Sequence, residues 1–270
     1  MVPEGSEEPA TAGARAVADH ESGPLLVLGT SGAGRTESLA LRLRALTRRG
    51  ERPEHVLVLT RSRPARTRLR ERAEELVEGG HEELWIGTWE ETAEALLREY
   101  PVEAGLDPFF TTVNPADRLA ILLDRVDQLP LRRHEIRGNP AGLLARLLRR
   151  IDVLKAEAVS PSALRQWAVA AERAATTAGE RERAEREIEF AELYARHDRI
   201  LRESGSLDGG DLVLTLTKLL RDRADVAEAV GARFRHVLVD ELEDAGRAHH
   251  ELLTRLAAHG NVAAACDPDQ

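Results

Sequence analysis

Cysteine is almost missing from this chain: Cys266 is the only one in 270 residues. A single thiol excludes an intrachain disulfide, and the scattered histidines do not combine with it into a metal-ligand cluster. The cytoplasm is the compartment expected for such a chain. Aromatic residues are scarce, at 3%. Lysine occurs only at Lys155 and Lys218, so nearly all of the positive charge is arginine. No run of about 18 apolar residues is present, which excludes a hydrophobic membrane-spanning helix, and no membrane partner is expected. The N-terminus, MVPEGSEEPATAGARA, is acidic and polar. It lacks the basic-then-apolar layout of a signal peptide and is expected to fray.

What is present suits a soluble, helix-rich protein of one large or two smaller domains, with 42% apolar and 31% charged residues. The net charge of −9 is unlike that of a dedicated nucleic-acid binder. A local basic face would nevertheless be enough for such binding.

The most informative stretch is LLVLGTSGAGRT, from Leu25 to Thr36. An apolar run leads into a Gly-rich turn and then a helix start. Gly29, Gly34 and Thr36 fit the phosphate-loop pattern G-x-x-x-x-G-K-[ST], with Arg35 where the pattern has Lys. In such a loop the glycines let successive N–H groups point at phosphate oxygens, and the helix adds its positive end. The hydroxyl of Thr36 would hold Mg²⁺, and the Lys position reaches the β- and γ-phosphates. Arg is a wide planar fork rather than a compact ammonium, so Arg35 is not a conservative replacement at a tight site. The plainer reading is a strand-to-helix turn that merely needs glycine.

Around this stretch the pattern alternates. Strands are expected at Leu25–Leu28, at 55–60 and at 84–88; helices are expected at 14–20, 37–48, 64–78 and 89–100, with Gly79 and Gly80 ending the third. Continuous apolar strands such as HVLVLT are those of a parallel sheet covered on both faces. From Pro101 the character changes. Asn114-Pro115, Asn139-Pro140 and Ser160-Pro161 each read as a helix start, and 176–203 as a long charged helix. No strand signal falls between about Gly105 and Gly205, so this segment is expected to be a helical insertion. The α/β pattern then returns with a helix at 211–221, a buried strand at 234–240, a helix at 251–258 and a strand at 262–265. The sequence stops just past that strand, where a domain seldom ends, so a truncated chain or gene fragment is expected.

Asp240-Glu241 directly follows the apolar strand FRHVLV. In a phosphate-loop protein an acid here holds Mg²⁺, and the adjacent Glu can orient or deprotonate the attacking water. The plainer reading is a helix N-cap with a first-turn acid.

The order of segments resembles the UvrD/Rep/PcrA family of superfamily 1 DNA helicases. LLVLGTSGAGRT is similar to its motif I. VLVLTRSRPARTRLRERA resembles motif Ia, TFTxxAAxEMxxR, and IGTWEETAEALLRE the GTFHSxxxxxLR stretch. SLDGGDLV is similar to SxxDFxDL, HVLVDELEDA to motif II, VDExQD, and CDPDQ to the start of motif III, GDPDQSIY. These ordered matches cover essentially the whole chain.

The resemblance implies an α/β fold: a RecA-like P-loop parallel sheet flanked by helices, with an all-α inserted subdomain. The motor domain would comprise residues 1–100 and 206–270, and the helical accessory subdomain 101–205. It implies ATP and Mg²⁺ as cofactors. Nucleotide would be cradled by Gly29, Thr30, Ser31, Gly32, Ala33, Gly34, Arg35 and Thr36, and the metal held by Thr36 and Asp240. Glu241 would be the catalytic base, and Gln270 the motif III glutamine that senses the γ-phosphate. It implies single-stranded or partly duplex DNA as partner, contacted by Thr60 and Thr88, with Trp89 as a stacking ring; Arg61 and Arg63, together with Arg66 and Arg68, are further phosphate contacts unless they are only a solvated helix face. ATP-dependent 3′ to 5′ translocation and unwinding would require a second motor domain or a partner subunit. Several positions depart from the family pattern besides Arg35: Ala14, Arg61, Trp89-Glu90-Glu91, Gly209, Glu243 (for the motif II Gln) and Cys266. These departures keep an alternative open, a non-hydrolysing paralogue that acts as a DNA- or protein-binding module. A small stand-alone phosphate-loop kinase or NTPase fits the helical insertion poorly.

Overall fold

The computed structural model describes residues 12–30, 32–77, 83–133 and 139–269. They fall into two compact units. The first holds Met1–Leu96, Leu219–Ala245 and His250–Gln270; the second holds Leu97–Lys218 and Gly246–His249. Ser31, Gly79, Gly80 and Gln270 lie outside the described residues.

The first unit is built on a parallel sheet with strands β1 (Leu25–Leu28), β2 (Val56–Thr60), β3 (Trp85–Thr88), β6 (His236–Val239) and β7 (Val262–Cys266), in the order β1-β7-β6-β2-β3. The sequence expectation of an α/β fold with a helix-flanked parallel sheet holds. Helices α1 (Ala12–Asp19), α2 (Arg35–Arg48), α3 (Arg63–Leu76), α4 (Trp89–Glu99, up to Leu96), α10 (Ala224–Arg233) and α11 (Arg247–Leu256, from His250) accompany it. Strand β2 is buried along its whole length, as its unbroken apolar sequence requires. Its Val56 and Val58 join Leu39 and Leu43 of α2, Leu69 and Ala73 of α3, and Ala263 and Ala265 of β7 in one core cluster. Each fully buried Leu there contributes about 1.5–3 kcal/mol. Ser62 starts α3 by accepting a hydrogen bond from the Ala65 N–H at 3.3 Å, with a proline in the first turn. Arg72 of α3 grips Glu37 of α2 with two donors at 2.6 and 2.7 Å. Helix α10 is absent from the sequence expectation; Val226 and Val230 are its buried residues.

In the second unit, helices α5 (Pro115–Leu123), α6 (Pro140–Ala156), α7 (Pro161–Ala174), α8 (Ala178–Glu203) and α9 (Gly209–Asp222, its first ten residues) dominate. The starts expected at Asn114, Asn139 and Ser160 are formed, each side chain accepting a backbone N–H of the first turn. Thr177 and Glu180 form a reciprocal capping box at the head of α8. Leu122, Leu144, Leu148, Ile151, Phe190, Leu193 and Ile200 share the core. The strand-free expectation between Gly105 and Gly205 is corrected: β4 (Thr111–Thr112) pairs in parallel with β5 (Ser206–Leu207), because Thr111 donates to the Gly205 carbonyl and Val113 to that of Leu207. Helix α5 stops at Leu123, and a short 3-10 turn follows at Val126–Gln128.

A buried ionic knot ties this unit together. Lys155, 1% exposed, places its ammonium 2.8 Å from Asp208, 2.7 Å from Asp211 and 3.1 Å from Asp198. Arg118 adds a bond of 2.8 Å to Asp208 and a fork onto Asp152. Burial alone would lower the Lys155 pKa, but the three carboxylates raise it above the ordinary lysine value. Asp208 moves the other way: burial opposes its charge, yet Lys155, His197 and Arg118 hold it below the carboxylate range. Gly210 is required beside this knot, since a Cβ there would lie 2.7 Å from both Cβ and Cδ of Lys155. Among the described residues no helix is long and apolar enough to cross a membrane.

Candidate nucleotide and nucleic-acid site

Because the sheet is parallel, the C-terminal ends of β1, β7 and β6 share one edge, the edge where ligands gather in open α/β sheets. The loop after β1 begins there. The Gly29 N–H donates to the Cys266 carbonyl at 3.2 Å, tying the loop to the end of β7. A Cβ on Gly29 would crowd the Ala33 Cβ at 3.1 Å and the Arg35 stem at 3.3 Å. Ala33 closes a turn onto the Thr30 carbonyl at 3.0 Å. Gly32 and Gly34 have φ of +82° and +79°, a backbone that residues with a Cβ rarely adopt. Gly34 is the N-cap of α2 and supplies no side-chain cap. The first amides of a 14-residue helix therefore keep their affinity for an anion.

Across the edge, the Thr36 hydroxyl donates to Asp240 Oδ2 at 2.8 Å. Asp240 is buried, and its pKa is raised chiefly by burial, against the Thr36 bond and the Glu241 N–H. Glu241 adopts a left-handed backbone with φ of 57°. That conformation costs a non-glycine residue about 1–2 kcal/mol and is a form of strain that clusters at functional sites. Burial, then the neighbouring Asp240 and Asp244, raise its pKa, with Arg68 and Arg61 opposing. A carboxyl held in this way is suited to receive a proton.

Tested against Mg²⁺ and a nucleotide, the donor set fits. A glycine turn at a helix start can take phosphates, and a hydroxyl beside a carboxylate offers the oxygen ligands that Mg²⁺ prefers. Arg35 is the exception to an open cradle. One terminal nitrogen lies 2.7 Å from Glu243 and the other 3.7 Å from Asp267, with side-chain exposures of 13%, 5% and 4%. Burial works against the charge of Arg35, but Glu243, Asp267 and Asp240 keep its pKa above the usual value. The sequence marks Glu243 only as a departure from a Gln; its pairing with Arg35 is visible only once the fold is formed.

The residues expected to touch DNA divide into two groups. Thr60 and Thr88 are buried at the ends of β2 and β3. The Thr88 hydroxyl accepts the Glu91 N–H at 3.2 Å, and the Glu91 carboxylate accepts the Thr88 N–H at 3.1 Å. Trp89 is only 3% exposed, so its ring is part of the packing at the start of α4 and presents no open platform to a base. Arg61 and Arg63 are exposed, but each already has an acid partner: Arg61 pairs with Asp244, and Arg63 and Arg66 share Glu91 at 3.2 and 2.7 Å.

A parallel sheet with a glycine loop after its edge strand and an acid at the end of a nearby strand defines a RecA-like α/β domain. The chain belongs to the UvrD/REP helicase family, whose N-terminal domain matches residues 10–270. It is 30% identical over 246 residues to the ATP-dependent DNA helicase UvrD1 of Mycobacterium leprae, covering 89% of this chain and 29% of that protein. Against the ATP-dependent DNA helicase PcrA of Bacillus subtilis it is 26% identical over 250 residues, covering 92% and 31%. PcrA of Staphylococcus aureus strain Mu50 gives 26% over 252 residues, 92% and 32%. The chain thus spans less than a third of the length of these relatives.

Proposed function

We propose that this chain is the ATP-binding part of a UvrD-like DNA helicase and that it serves ATP-dependent 3′ to 5′ translocation and unwinding once joined to a second motor domain. The observation that carries this reading is the bond of 2.8 Å between Thr36 and Asp240 beside the Gly32–Gly34 turn. Thr36 and Asp240 would hold Mg²⁺, which neutralises phosphate charge when bound. The loop amides of residues 29–36 would orient the triphosphate, and Glu241 would take the proton of the attacking water. Gln270, at the start of the motif III segment, is assigned to the γ-phosphate by family resemblance. DNA would lie over Arg61 and Arg63, with Thr60, Thr88 and Trp89 shaping the surface beneath. The cytoplasm is the compartment proposed for this activity.

The pairing of Arg35 favours a second reading, a domain that binds nucleotide or DNA without turnover. Titration calorimetry with Mg²⁺ and ADP, alongside an ATPase assay with and without single-stranded DNA, tests both. The purified chain is expected to bind nucleotide and to show negligible DNA-stimulated hydrolysis. Absence of nucleotide binding in a folded protein refutes the site; turnover at the level of a complete helicase refutes the need for a second domain.

A further inference from the structure

Both terminal nitrogens of Arg35 face carboxylates contributed by two other segments of the chain, Glu243 after β6 and Asp267 after β7. The Glu243 contact is a charge-assisted hydrogen bond of 2.7 Å between two largely buried side chains. Among the described residues, the second carboxylate oxygen of Glu243, Oε2, is buried without a hydrogen-bond partner. A buried acceptor left unsatisfied is costly, so the Glu243 carboxylate depends on the Arg35 guanidinium and on the backbone N–H groups of Glu243 and Asp267 that also favour its charge. The stem of Arg35 is confined as well, by the close approach of Gly29.

We infer that Glu243 is a positioning residue that sets nucleotide affinity through Arg35: it holds the loop's only cation, so a phosphate drawing on that guanidinium must compete with a carboxylate already bound to it. This inference rests on the nucleotide-site reading above. It makes Arg35 and Glu243 a matched pair rather than two separate departures from the family pattern. The charge at the loop is conserved in kind by Arg35 and cancelled locally by Glu243. A neutral amide at residue 243 keeps the shape and a hydrogen-bonding oxygen but gives up the charge.

The test is calorimetric titration of the full chain with Mg²⁺ and a non-hydrolysable ATP analogue, and separately with Mg²⁺ and ADP. The variants are Glu243→Gln, Arg35→Met and the double substitution, each checked for folding by circular dichroism. Glu243→Gln is expected to tighten binding of the triphosphate analogue roughly tenfold, the size of an effect of about 1.4 kcal/mol. In the Arg35→Met background the same change is expected to have no effect, a dependence that a merely structural role of Glu243 would not produce. Weaker or unchanged affinity in Glu243→Gln while all variants still bind overturns the inference and leaves the nucleotide site standing. Failure of every folded variant to bind overturns both.

Discussion

Replacing Lys155 by Met would remove one ammonium from among three carboxylates while keeping an unbranched stem. Deleting one partner of a fully buried ion pair costs about 3–5 kcal/mol, because the remaining charge stays out of water without compensation. Two features put this site at the lower end of that range. Asp208 keeps Arg118 at 2.8 Å. Asp211 and Asp198 have side chains 20% and 19% exposed, so each retains some water. A loss of about 3 kcal/mol corresponds to a fall in Tm of roughly 6–12 °C for a domain of this size class. Differential scanning calorimetry of the full chain measures it directly. Lys155→Arg separates charge from shape: it preserves the positive charge, but a planar guanidinium does not fit where an ammonium meets three acids and the stem runs tight against Gly210. Arg is therefore expected to lose nearly as much as Met. A loss below about 1 kcal/mol for Met, or full tolerance of Arg, would refute the reasoning, since the knot would then be well hydrated or its carboxylates neutral.

Gly210→Ala is expected to destabilise by about 1–3 kcal/mol through the contact of 2.7 Å between the new Cβ and the base of the Lys155 side chain, measured by urea unfolding. The same knot sets a pH dependence. Asp208 is held below its ordinary pKa, so its contribution is complete above about pH 4 and is lost as pH falls through the depressed folded value. Lys155 is raised, so its contribution is complete below about pH 10 and fades as pH climbs through the folded value. Asp211, raised chiefly by burial, works in the opposite sense and offsets part of the acid loss. Stability measured from neutral to strongly acid pH is expected to decline in the wild-type chain and to decline less in Lys155→Met; identical acid profiles would count against it. At the other site, Thr36→Val removes the hydroxyl bonded to Asp240 and is expected to abolish Mg²⁺-dependent nucleotide binding with Tm changed by only a few degrees; retained binding by calorimetry would remove Thr36 from the metal site.

The legible parts of the fold are those written by neighbours in sequence. The short apolar run VLVLT reads as a buried strand, and the Asn-Pro and Ser-Pro pairs announce α5, α6 and α7 within a residue of their observed starts. Helix α10 was not legible because ADVAEAVGAR offers a stripe of only two valines among small and charged residues. Strands β4 and β5, two residues each, carry no periodicity at all. At the candidate site the loop glycines and the acid pair were visible as patterns. The burial of Trp89 was not, since one aromatic at a strand-to-helix junction reads equally well as a ring for stacking or for packing.

The amino-acid order alone determined most of the strands and helices, where most helices start, and the glycine turn before α2. Those outcomes depend on sterics and hydrogen bonds within a few residues. Only the tertiary structure decided what each charge faces. Arg35 and Glu243 are 208 positions apart, and Lys155 meets acids 43 to 56 positions away, counted from Asp198 to Asp211. An arginine written in a phosphate loop has the same local meaning whether it is free or held. Its electrostatic meaning is set by the carboxylate that the sheet order brings to within 2.7 Å.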